Sequence, residues 1–123
     1  MITTSREADY VINKIDGHVT IKELLDYAQF NVDIWLSYPV LWDLSNATMR
    51  EEDTDYEAVR AIVGNISSLV EKRKGKKTTF VASDPFTYGM LRMAITIVES
   101  KEHCDVASVY SDIEEAKAWL KEA

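Results

Sequence analysis

The stretch TTFVASDPFTYGMLRM, running from Thr78 to Met93, decides how this chain is to be folded. Thr78 to Ala82 is a short apolar run rich in β-branched and aromatic side chains, the composition of a strand. Asp84 then offers a helix N-cap, because its carboxylate can accept the orphan amides of a first helical turn. Pro85 follows at the first helical position, where a missing N–H costs nothing and φ is already set. Phe86, Met90, Met93, Ala94 and Ile97 recur at helical spacing behind it, Met90 and Met93 as core fillers. Gly89 inside that helix costs about 1 kcal/mol relative to alanine, so it is read as allowing a close approach to a neighbouring element. Strand, tight turn and helix make one βα unit.

Similar units flank it. PVLWDL (39–44) and DVASVY (105–110) are dense apolar runs, as expected of strands buried on both faces of a helix-covered parallel sheet. The opening MITTSREADYVINKIDGH reads as two strands around the polar turn SREAD, with Val11, Ile12 and Ile15 in the second and Asp16-Gly17 closing it. Three helices carry the Ser/Thr-x-x-Glu capping box. Thr20-x-x-Glu23 opens one helix with Ile21, Leu24, Leu25, Ala28, Val32, Trp35 and Leu36 in register. Thr54-x-x-Glu57 opens another, striped by Val59, Ile62, Val63, Ile66, Leu69 and Val70. Ser111-x-x-Glu114 opens the last, with Ile113, Ala116 and Leu120 inward. The order β-β-α-β-α-β-α-β-α argues an α/β fold with a mostly parallel mixed sheet and an antiparallel edge strand. Residues 1–123 are expected to form a single domain.

The chain has 123 residues, 46% of them hydrophobic and 28% charged, with a net charge of −7. That balance argues against nucleic-acid binding, which needs a basic footprint. Its one basic run, EKRKGKK (71–77), reads as a helix C-terminus whose cations complement the dipole, with Gly75 in the left-handed position. No apolar run approaches a membrane span, and the first residues lack the pattern of a secretory signal. A single cysteine, Cys104, cannot form an internal disulfide, so a cytoplasmic location is expected. Three tryptophans and six tyrosines exceed what a small core must hide, which leaves room for a homodimer face.

In open parallel sheets ligands sit outside the carboxyl ends of the strands. Two such ends carry chemistry here: Asp43, Ser45, Asn46 and Thr48 after one strand, and Ser83, Asp84, Phe86 and Tyr88 after the next, with Thr87 on the same first helical turn. Each has an ordinary job as well. Asp84 caps a helix, and Asp43 must find hydrogen-bond donors, local amides before a ligand. Tyr88 is a half-buried aromatic with a wet hydroxyl, or a gate. Arg92 projects to solvent or reaches a carboxylate.

No nucleophile elbow, phosphate-binding loop or dinucleotide fingerprint occurs. His103-Cys104 lacks the spacing of a zinc site, and TMREEDTDYE (48–57) lacks that of a calcium loop. No metal or cofactor is therefore expected. A hydrolase using Asp43 or Asp84 as base is the least favoured reading.

LWDLSNA (41–47), KKTTFVASDPFTYGMLRM (76–93) and VYSDIEEAKAWL (109–120) together resemble the SpoIIAA-like branch of the STAS (sulfate transporter and anti-sigma-factor antagonist) domains, which is grouped with Sec14-like (CRAL-TRIO) lipid-binding folds. The resemblance implies a small cytoplasmic domain without catalytic machinery of its own. It also implies one of two roles: binding a small hydrophobic or anionic ligand or a protein partner, or acting as a phosphorylation-controlled antagonist. The Asp-Ser pair of the phosphorylated members is missing from NATMREEDTDYE (46–57), leaving Ser45, Thr48 or Thr54 to substitute. That departure favours the binding role.

Overall fold

Strand, cap and helix appear at Thr78–Ala82 and Pro85–Glu99 in a computed structural model that describes residues 1–53, 56–57, 60–61, 76–99 and 107–122. Among these residues are five strands, β1 (Ile2–Arg6), β2 (Val11–His18), β3 (Val40–Thr48), β4 (Thr78–Ala82) and β5 (Ala107–Tyr110). Four α-helices accompany them: α1 (Ile21–Phe30), α2 (Val32–Ser37), α3 (Pro85–Glu99) and α4 (Ile113–Lys121). The helix expected from Thr54, with the stripe Val59 to Val70 and the basic run 71–75, lies almost entirely outside the described residues, as do His103 and Cys104.

The strands form one sheet in the order β1-β2-β3-β4-β5. β1 is antiparallel to β2, and each later pair is parallel. The mixed sheet with an antiparallel edge is thus observed. Because side chains alternate across a strand, the register sorts them into rows. Val11, Val40, Thr78 and Ala107 lie side by side, as do Asn13, Trp42, Phe80 and Val109. Trp42 stacks on Phe80 with centroids 6.2 Å apart and meets Tyr27 edge-on, so aromatic contact joins β3 and β4 to α1. This face and α1 to α3 form the larger core, which includes Ile15, Leu24, Trp35, Leu44, Met90 and Leu91. The opposite face presents Ile12, Leu41, Val81 and Tyr110 to α4, where Ala116 and Leu120 are buried.

Lys77, immediately before β4, fastens α4 from its far end. Its ammonium donates to the carbonyls of Trp119 (2.8 Å) and Glu122 (2.9 Å) and lies 4.7 Å from the centre of the Trp119 ring. A cation there complements the helix dipole and gives the Trp119 carbonyl, which also accepts the Glu122 backbone N–H, a second donor.

Five local expectations are corrected. The stripe from Ile21 to Leu36 is two helices, broken at Asn31, whose side chain donates to the Tyr27 carbonyl. Asp16-Gly17 does not end β2. Gly17 adopts φ +87° inside the strand, next to a register shift between Lys14 and Asp16, and still pairs with Ala47. The strand at 39–44 continues to Thr48, because β2 supplies partners for Asn46, Ala47 and Thr48. Ser111 does not cap the last helix. Asp112 holds the N-cap position, in extended conformation and without a side-chain cap bond. A Cβ built on Gly89 meets nothing within 4 Å, so this glycine mediates no close packing.

Candidate functional site

Parallel pairing of β3 with β4 brings Leu44 beside Ala82, so both chain exits open on the same rim of the sheet. The two groups of candidate residues are therefore neighbours. β3 overshoots β4, which places Ser45, Asn46 and Thr48 on strand rather than loop backbone.

Asp43 is buried, 8% exposed, and is satisfied locally. Its Oδ1 accepts the Ser45 backbone N–H at 3.0 Å and the Ser45 hydroxyl at 2.6 Å. The Ser45 hydroxyl is thereby engaged, whereas Asn46 and Thr48 are exposed. Across the rim, Asp84 is the N-cap of α3. Its Oδ2 accepts the Thr87 backbone N–H at 3.0 Å and the Thr87 hydroxyl at 2.7 Å. These two bonds, the hydroxyl's first, hold the Asp84 carboxyl below its usual pKa. Ser83 is exposed, and Phe86 and Tyr88 are half-buried against the larger core.

Sequence reasoning placed Thr87 on the first turn of this helix but missed its role. It is fully buried, and its hydroxyl accepts the backbone N–H of Met49 at 2.9 Å while donating to Asp84. One hydroxyl thus ties the segment leaving β3 to the helix entering after β4. The spacing Asp-x-x-Thr, a cap followed by a hydroxyl at its third residue, is the signal from which half of this link could have been found. The other half spans 38 residues and leaves no local trace.

Tyr88 reaches β5 instead, its hydroxyl donating to the Val109 carbonyl. With Arg92, Ile95 and Thr96 it forms one wall of a cleft of about 420 Å³, whose other wall is β5 from Ala107 to Tyr110. The remaining seven candidate residues do not line this cleft. The core stripe of α3 also differs from expectation. Thr87, Met90 and Leu91 are its buried residues, while Phe86, Met93 and Ala94 are partly buried against the same core. The Ile97 side chain lies outside the described residues.

Among the described residues no group of three or more His, Cys, Asp or Glu is placed to hold a metal ion. Likewise, no helix among them is long and apolar enough to cross a membrane. No protein-family model matches the chain, and no curated protein matches it in sequence.

Proposed function

We propose that this chain is a binding and regulatory module of the STAS-like type, acting without catalytic machinery of its own, and that it engages a small hydrophobic or anionic ligand, or a partner, at the rim shared by β3, β4 and α3. The observation that supports this reading is the link Met49–Thr87–Asp84. It fixes two chain segments against each other and leaves Asn46, Thr48 and Ser83 at the surface beside the half-buried ring of Phe86. A rigid platform with an apolar centre and a few polar anchors loses little ordering entropy on binding. The carboxylates of Asp43 and Asp84 are both engaged in local hydrogen bonds, which suits structural roles better than general-base catalysis.

Native mass spectrometry of the purified protein tests the reading. A non-covalent adduct is expected that disappears on denaturation and is lost in the double variant Asn46→Ala/Thr48→Ala. Both changes are on exposed strand positions and should leave the fold intact. A chain that remains bare in metabolite extract, or an adduct that the double variant retains, would sink the proposal.

A further inference from the structure

The cleft between α3 and β5 lies at the open end of the sheet. Among the described residues β5 pairs on one side only, with β4. Its other side is a strand edge with backbone donors and acceptors directed away from the sheet. The walls match in length. The four residues of β5 span about 13 Å at strand rise. Tyr88, Arg92, Ile95 and Thr96 form a single helical stripe that covers about 12 Å. The Tyr88 hydroxyl already reaches the strand's backbone from within the cleft, donating to the Val109 carbonyl at 3.5 Å, the outer limit of a hydrogen bond.

Among the described residues the charge in this cleft has one source. Arg92 is the charged residue of the lining, it is exposed, and among the described residues the ion pair present is Lys22–Asp26, elsewhere on the molecule. Ser108 is committed differently, its hydroxyl donating to Thr79 across the β4–β5 pair at 3.1 Å. A guanidinium with no ion pair among the described residues, in a cleft walled by a strand edge that no described strand covers, favours a carboxylate held in two-point contact. The net charge of −7 limits the partner to about one such group, since a polyacidic segment would be repelled.

We infer that β5 and α3 form a docking groove for an extended peptide segment of a partner protein. The segment adds to the β5 edge over about four residues and places one carboxylate side chain on Arg92. The volume of about 420 Å³ suits a segment of that size. The inference goes beyond the rim proposed above and does not depend on it, because Arg92 belongs to the groove alone.

The experiment titrates the full ¹⁵N-labelled chain with a library of acetylated pentapeptide amides. Each has alternating β-branched residues and one central Asp, and each is paired with its Asn counterpart and with a backbone N-methylated form. The best Asp peptides are expected to shift the amides of Ala107 to Tyr110 and to protect from exchange those that face away from β4. The Asn counterpart, and the Asp peptide against Arg92→Gln, should bind about tenfold more weakly, which is about 1.4 kcal/mol. Arg92→Lys should recover part of the loss, and N-methylation should abolish binding. The inference is overturned if no member of the library shifts the β5 amides. It is equally overturned if Asp and Asn peptides bind alike, if N-methylated peptides bind as well as their parents, or if acetate alone reproduces the shifts. In that last case the groove takes a small anion. Concentration-dependent protection of the same amides without peptide would also overturn it, in favour of a second copy of this chain.

Discussion

Thr87 holds its position through two roles that few side chains combine: it accepts from Met49 and donates to Asp84. Thr87→Val keeps the shape and removes both roles, leaving the Met49 amide buried without a partner. A loss of about 1–3 kcal/mol is expected in urea unfolding, with Thr87→Ser recovering most of it. The neighbouring carboxylate adds a pH dependence. The Asp84 carboxyl is held below its usual pKa in the folded chain by the Thr87 hydroxyl and then by the Thr87 amide. Its stabilisation is therefore complete above the unfolded-state value and fades as pH falls through the folded-state value, below about pH 4. Unfolding curves of Asp84→Asn measured across that range should lack this acid-side component and run parallel to wild type where both states are ionised. The cap was legible in the sequence because Asp before Pro has a local meaning. The acceptor role of Thr87 was not, since its donor comes from a distant strand end.

Elements were legible where their patterns are local, and misread where a neighbour changes the meaning of a residue. β4 matches its apolar run residue for residue because both of its faces are buried in this sheet. The Asp-Gly pair reads as a turn, yet β3 continues beside it and converts the kink into an irregularity within β2. The break at Asn31 is likewise hidden, because the apolar spacing runs through it from Ala28 to Val32. The two described glycines consequently respond in opposite ways to one substitution. Gly89 is exposed, helical and faces open space, so Gly89→Ala should raise stability by about 0.5–1 kcal/mol. Gly17 also has room for a methyl group, but its φ of +87° is strained for any L side chain. Gly17→Ala should cost about 1 kcal/mol or more. Thermal unfolding of the two variants checks both signs, and a destabilised Gly89→Ala would restore the close-packing role first expected there.

The α/β class of the whole molecule follows from the alternation of apolar runs with capped, periodic segments, and that much the chain displays openly. Which strand lies beside which is not displayed, because periodicity encodes burial and not adjacency. The unequal covering of the sheet was hidden for the same reason. Among the described residues one face receives α1 to α3 and the other α4, whose far end depends on Lys77. The strand order has one more implication. Among the described residues each strand lies next to the one made before it, so none of the five is inserted between two others. A chain leaving the ribosome N-terminus first can therefore lay down this sheet vectorially, every finished edge serving as the template for the next strand. Non-local pairing is slow because long loops must close first, and this order shortens the loops that each step must close. Truncation from the C-terminal end would accordingly strip the sheet strand by strand, in reverse order of synthesis, without opening a gap in its middle.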